Sequence, residues 1–329
     1  MITTLPQWLQ DMIRSIHSSE ELAIVEAGLN TAQRLPTFRI NTIKADAIET
    51  IDSLTDQGLE IEKIDFLENA YMLKTGREKD LWDTGAFKSG YIYMQSLSSM
   101  IPVACMGLEK INQSNGVLVL DAAAAPWSKT SQMAAQLNNG GKIIAVDNNA
   151  IRIDKLNFTL KRQGVKNTTV IKSDARTLLA KLGESEVGNF DAILADVPCS
   201  SEGRISTQNE KSYSLWEEKT NKRSYKLQKQ ILQSIVPLLK DGWELMYSTC
   251  TISPEENEAV VHFILCNYPE LTIVDIAQEY ETIFAGLPTK PGLKEFGTTV
   301  YKSEVTQSIR ILPSLQTQGF FIAKFRKKA

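Results

Sequence analysis

Four short apolar runs, each closed by an aspartate, govern what this chain can fold into. They are GVLVLD ending at Asp121, KIIAVD at Asp147, TTVIKSD at Asp174 and FDAILAD at Asp196. Helix-like stretches separate them: SKTSQMAAQL, then IRIDKLNFTLKRQ with Gly164 placed as its C-cap, then ARTLLAKL. A long helical region leads to a fifth run, ELMYSTC, which closes at Cys250. Short apolar strands alternating with helices imply βα units and parallel pairing. The expected fold class is α/β: a doubly wound, mostly parallel sheet of Rossmann-like type with a smaller α+β domain in front. Ligands of such sheets bind outside the carboxyl ends of the strands. Four acids and a cysteine are therefore expected on one rim, which is more than turn formation asks of them.

The 329 residues, 43% of them apolar, suffice for a full-sized core and suggest about two domains. The expected division is 1–90 and 91–329. In the first part, 5–16, 19–29 and 47–57 read as helices, and PTFRINTIK reads as a strand. No apolar run is long enough to span a bilayer, and the opening residues lack the pattern of a secretory signal. A cytoplasmic monomer with reduced thiols is expected. With two histidines, His17 and His262, and no CxxC spacing, neither a zinc site nor a Ser-His-Asp hydrolase is expected. The net charge of −3 carries no global nucleic-acid signature. Basic character is local, at Lys219 to Lys229 and in the tail Lys324, Arg326, Lys327 and Lys328.

The loop after the first aspartate reads DAAAAPWSKT. Small side chains let a ligand approach the backbone, and the following helix offers its positive end. The glycines of a Walker loop are missing, and so is GxGxxG, which argues against a pyrophosphate. An adenosine ligand without phosphates fits better, with Asp147 on ribose hydroxyls and Asp174 near an adenine amino group.

Two segments carry the chemistry, ADVPCSSEGRI with Cys199 and YSTCTISPEENE with Cys250. Ser253, Pro254 and Glu256 read as the capping box of a helix, whose dipole would lower the pKa of Cys250. A thiolate suits attack at C6 of cytosine, which makes C5 enamine-like. Asp196 would assist at the ring nitrogen. Cys105 and Cys266 read as buried small hydrophobes.

Together DAAAAPxSKT, DxPCSxEG and YSTCTxSPEENE resemble the Nol/Nop/Sun family of RNA cytosine-5 methyltransferases. PTFRINTIK, YMQSLSSM, RILP and GFFIAKFRKK extend the likeness over nearly the whole chain. The resemblance implies that Cys250 attacks C6 and that Cys199 helps release the product. It implies that Ala123, Ala124, Ala125, Pro126, Trp127, Ser128, Lys129, Asp147, Asp174 and Asp196 bind S-adenosyl-L-methionine. It implies an RNA substrate, ribosomal or transfer, and Arg39, Asn41, Lys327 and Lys328 are expected to touch it. The family's extra C-terminal RNA-binding domain is expected to be missing. Two positions depart from the family: Trp127 and Trp243 stand where it has glycine. A UGA codon that means glycine would look like this if read as tryptophan, and weaker cofactor binding is expected at Trp127. The alternative is a non-catalytic RNA-binding or ribosome-assembly factor that keeps the fold. A nucleotide-dependent enzyme using Lys129 and Thr130 is a further rival, which the missing glycines oppose.

Overall fold

A computed structural model describes residues 2–111, 116–124, 128–214, 216–217 and 219–329, the side chains of Thr3 and Glu184 excepted. The chain forms two compact units, one discontinuous (Met1–Arg34 with Ala175–Ala329) and one continuous (Leu35–Asp174).

The discontinuous unit opens with helices α1 (Gln7–Ile16) and α2 (Ser19–Leu29). Leu9, Ile13 and Ile16 recur at helical spacing and are buried. Ser18 and Glu21 form a full capping box that starts α2. Leu9, Ile13, Val25 and Leu29 pack with Ile205, Ile252 and Leu312 from far along the chain. Each such burial is worth about 1.5–3 kcal/mol, which holds the short helices in place.

The continuous unit begins with β1 (Thr37–Ile40), α3 (Ala47–Asp56), β2 (Ile61–Lys63), β3 (Ala70–Leu73), α4 (Glu78–Trp82), α5 (Gly85–Lys88) and β4 (Ile92–Met94). Its strands pair antiparallel in the order β2-β3-β1-β4. Then come α6 (Leu97–Ala104), β5 (Leu118–Asp121), α7 (Ser128–Gln136), β6 (Lys142–Asp147), α8 (Ala150–Gln163) and β7 (Thr168–Lys172). Here β5, β6 and β7 pair in parallel. Gly164 closes α8 in the left-handed region, as expected.

The discontinuous unit resumes with α9 (Leu178–Leu182), β8 (Phe190–Asp196), α10 (Lys219–Ile235), β9 (Leu239–Thr249), α11 (Glu258–Asn267) and β10 (Leu271–Val274). It ends with α12 (Ile276–Glu279), α13 (Glu281–Ala285), β11 (Thr289–Pro291), β12 (Glu295–Phe296), β13 (Thr299–Val300), β14 (Ile309–Ile311) and β15 (Phe320–Lys327). Strands β8 and β9 pair in parallel, whereas β15 runs antiparallel to β9, β10 and β14. The fold is thus the expected α/β class with mostly parallel wound strands. No helix among the described residues is long and apolar enough to cross a membrane.

The expected glycine-like backbone at Trp243 is not there. Gly242 takes the positive φ of that turn, +83°, and Trp243 lies within β9 outside the left-handed region. Its indole receives the Lys240 ammonium 5.7 Å from the ring centroid. Trp127 lies outside the described residues, with Ala125 and Pro126.

Candidate active site

In the continuous unit, β5 ends at Asp121, which is 1% exposed. Thr130 of α7 donates its hydroxyl to Asp121 Oδ2 at 2.6 Å, so the strand's acid anchors the helix that follows. Ala124 N donates to Val146 O at 2.9 Å, which steers the loop along β6. Ala122 and Ala124 are buried, and Ala123 is half-buried. At the start of α7, Ser128 Oγ lies 3.4 Å from Ser99 Oγ. Lys129 is buried and donates to Ser99 Oγ at 2.8 Å. Asp147 ends β6 and is 5% exposed. Its carboxylate takes the Asn149 N–H at 2.9 Å and the Arg152 guanidinium at 3.3 Å. A carboxylate there is the acceptor pair a ribose diol needs, and Arg152 is a partly exposed arm that a diol can displace. These residues fit an adenosine ligand held without phosphate contacts. Asp174 stands two residues past the end of β7.

Arg39 and Asn41, expected at an RNA surface, are buried instead. Arg39 donates to Gln95 Oε1 at 3.0 Å and Ser131 Oγ at 2.7 Å, bracing α7 from β1. Burial pushes its pKa down to about 10. Asn41 donates to the carbonyls of Gly90 and Gln163, both at 2.8 Å. A cation on a strand reads as surface in a sequence; here its polar atoms are turned to partners inside the protein.

In the discontinuous unit, β8 ends at Asp196, whose Oδ1 accepts the Ser248 hydroxyl at 2.7 Å. Cys199 follows β8 and Cys250 follows β9, and their sulfurs lie 3.3 Å apart. The parallel pairing of β8 and β9 matches Asp196 with Ser248, which places both loops at the same strand end. Gly203 makes the close approach possible. Its N–H donates to Cys250 O at 3.1 Å, and a Cβ there would sit 2.8 Å from that oxygen and 2.0 Å from Gly319 O. Ser201 holds φ +67°, a left-handed strain that sets its Oγ 3.3 Å from Cys250 Sγ.

The two thiols titrate as a pair. The hydrogen bond from Cys199 lowers Cys250 to about 7, against burial that raises it, and Ser201 lowers it further. The same contact, with burial, pushes Cys199 well up. The contact therefore biases the shared proton toward Cys199 and the charge toward Cys250. The helix dipole expected from the sequence is not the cause, since α11 begins only at Glu258. Glu256 is likewise no capping acid. Its side chain turns to Ser200 and Gln228. Cys105 is buried as expected, but Cys266 is exposed.

Sequence reasoning missed the supports of the two loops. Trp216 Nε1 donates to Ser200 O at 3.2 Å, and Trp8 of α1 stacks on it at 3.8 Å. Asn221 and Gln228 reach the loops from α10. Only the EEN run after Cys250 could have signalled them. The outer side of α10 leaves Lys222, Arg223 and Lys226 exposed. In the tail, Lys327 bonds Leu239 O and Asp241, and Lys328 bonds Pro269 O. Lys324 is buried between Glu244 and Glu279.

A family described as 16S rRNA methyltransferase RsmB/F matches residues 108–326. A ribosomal RNA small subunit methyltransferase F of Shewanella piezotolerans is 32% identical over 297 residues, 89% of this chain and 57% of its own. That of Vibrio vulnificus is 31% identical, over 89% of this chain and 58% of its own. The chain thus spans a little over half the length of these curated relatives. A methyltransferase homolog protein of Pyrococcus horikoshii superposes with a TM-score of 0.80 at 28% identity, over 98% of this chain and 95% of its own. NSun6 of the same organism, solved with SFG, gives 0.77 at 21% identity over the whole of both chains, a likeness of fold alone.

Proposed function

Because the chain belongs to the RsmB/F family of 16S rRNA methyltransferases, we propose that it methylates C5 of a cytosine in RNA, ribosomal RNA before transfer RNA, through a covalent Cys–C6 adduct. The observation that carries this reading is the 3.3 Å contact between Cys199 and Cys250, on the loops that follow two paired parallel strands. A lone nucleophile needs no second thiol at that distance.

S-adenosyl-L-methionine, when bound, supplies an electrophilic methyl group. Residues Ala123 to Lys129 would lie along it, Asp147 would take its ribose hydroxyls, and Asp174 its adenine amino group. Cys250 Sγ forms the bond to C6 of the cytosine as the C5–C6 π pair shifts into the ring, and a proton shared between Asp196 and the ring nitrogen meets the charge that accumulates there. After C5 carries the methyl group, its proton goes to a base and the electron pair returns to the ring as the Sγ–C6 bond breaks. Cys199 then donates its S–H to the departing sulfur, restoring the hydrogen-bonded thiolate. Residues 91–329 are assigned to methyl transfer, and RNA contact is shared between residues 1–90 and basic side chains of the second part.

The test is Cys199→Ala with ribosomal RNA and S-adenosyl-L-methionine. Attack persists and release stalls, so a protein–RNA adduct that survives denaturing gels is expected. The double variant with Cys250→Ala should give none. Absence of any adduct on an RNA that the wild type methylates would overturn the division of roles.

RNA backbone contact is assigned to Lys222, Arg223 and Lys226 on α10, together with Lys327 and Lys328. Replacing the three α10 cations by alanine should lower the slope of log K against log salt by about 0.7–0.9 for each phosphate left without its cation. Lys327→Ala with Lys328→Ala should lower it by a smaller amount, since both already bond within the protein. An unchanged slope in the α10 variant would make these residues ordinary solvated charges.

A further inference from the structure

Behind the two cysteines lies a pair of buried glutamates that the methyl-transfer mechanism does not use. Glu202 and Glu256 are each 0% exposed, and neither is ion-paired to a lysine or arginine among the described residues. Ser200, next to Cys199, and Thr251, next to Cys250, stand between them. Ser200 Oγ contacts Glu202 Oε2 at 2.6 Å and, more closely, Glu256 Oε1. Thr251 Oγ1 contacts Glu202 Oε2 and accepts the Ser253 N–H at 3.0 Å.

Three close oxygen contacts reach the carboxyl groups, but two hydroxyls bring only two protons. Thr251 gives its proton to Glu202. Ser200 can serve one carboxyl, so the other must bring a proton of its own. The remaining partners say which one does. Glu202 Oε1 accepts the Asn221 amide at 2.9 Å while Oε2 accepts both hydroxyls, the pattern of a carboxylate. Glu256 Oε2 accepts Ser200 N at 3.1 Å and Gln228 Nε2 at 2.8 Å, the pattern of a carbonyl oxygen. Its other oxygen, Oε1, faces Ser200 Oγ and is left as the hydroxyl.

We propose that Glu256 and Glu202 form a carboxylic acid–carboxylate pair with the proton on Glu256, and that this pair positions Cys199 against Cys250. Glu256 donates to Ser200, Ser200 to Glu202, and Thr251 to Glu202. The chain of bonds ties the residue after one cysteine to the residue after the other. Desolvation, and then the Glu202 charge, raise Glu256 to about 8; burial raises Glu202 too, against the hydrogen bonds from Ser200, Thr251 and Asn221 that favour its charge. The titratable groups facing it are Glu202, Cys199 on the loop after β8, and Tyr247 of β9, whose hydroxyl donates to Glu256 O at 2.6 Å. From α10, the neutral Gln228 donates to it. Loss of the proton would leave two carboxylates competing for one hydroxyl and drive the cysteine loops apart.

The folded protein holds a proton on Glu256 that the unfolded chain releases above the ordinary carboxyl range. Stability from this group is complete below about pH 4 and falls as pH rises to about 8. Glu256→Gln keeps a donor toward Ser200 and cannot ionise.

The proposal rests on the methyltransferase reading only for the importance of the cysteine pair, and its test needs neither RNA nor cofactor. Infrared difference spectra of the free protein should show a buried carboxylic-acid C=O band at pH 7 that disappears by pH 10 and is missing in Glu256→Gln. Cys250 alkylation by iodoacetamide, followed by peptide mass spectrometry, should have its pH midpoint near 7 in the wild type. Glu256→Gln should keep that midpoint, and Glu256→Ala should move it about one unit or more toward that of an ordinary thiol. No acid band at pH 7, or a band that persists in Glu256→Gln, overturns the proton assignment. An unmoved midpoint in a folded Glu256→Ala overturns the positioning role. If the alanine variant does not fold, the infrared result and the Glu256→Gln midpoint still decide, a shifted midpoint in Glu256→Gln overturning the proposal. A chain that fails to methylate RNA leaves both readouts intact.

Discussion

Cys250→Ala is expected to abolish methyl transfer to RNA, by a factor on the order of 10⁴ or more, while the protein still folds. The change removes one sulfur from a half-buried position and leaves the backbone contacts of the loop, including Gly203 N to Cys250 O, in place. On the proposed mechanism it takes away the thiolate that would make C5 nucleophilic. Radiolabel transfer from S-adenosyl-L-methionine, read beside a thermal melt, checks it. Activity within tenfold of wild type would move the nucleophile to Cys199 or remove the covalent route. In the wild type the rate should fall as pH drops below about 7, since protonated Cys250 cannot attack.

Arg310→Ala is expected to cost about 3–5 kcal/mol of stability, lowering the melting temperature by about 10 °C. Arg310 of β14 is 3% exposed and Glu258 of α11 is 0% exposed. The guanidinium grips the carboxylate through two bonds, one of them 2.6 Å, and donates a third to Ile252 O at 2.9 Å. Removing the arginine leaves a bare carboxylate in the core, with Leu293 N–H still donating to it at 3.0 Å. It also frees Ile252, two residues past Cys250. Replacing both partners by apolar residues should cost less than replacing Arg310 alone, because no charge is then stranded. Denaturant titration separates the cases. A loss under 1 kcal/mol in Arg310→Ala would mean that water reaches Glu258.

The wound strands were legible because their pattern is local. Asp121, Asp147 and Asp196 end β5, β6 and β8 as the apolar runs imply. The cysteines were legible because each sits at a strand end, and parallel pairing then brings strand ends together. Glu256 was not, because Ser-Pro-Glu-Glu spells a helix start in any context. Its carboxyl is instead claimed by Ser200, 56 residues earlier, a contact that no local pattern encodes. Arg39 and Asn41 misled for the opposite reason. Sequence gives their charge and polarity but not their cover, and Ser131 and Gln163 provide that cover from far downstream. Trp243 looked out of place because glycine pairs suggest a left-handed turn; one glycine, Gly242, is all that this turn requires.

The discontinuous unit sets an order of events during synthesis. Helices α1 and α2 leave the ribosome well before their partners, since Leu9, Ile13, Val25 and Leu29 pack on Ile205, Ile252 and Leu312. At about 5–20 residues per second, roughly 15–60 seconds pass before the last of those partners is made. Leu35–Asp174, by contrast, is contiguous and can condense while the rest is still being translated. For that interval α1 and α2 wait with their oily stripe incompletely covered, a natural client for a holdase. Trp8 must likewise wait for Trp216 before the two can stack. A nascent chain stalled short of Leu312 would carry both thiols without the full cluster that holds α1.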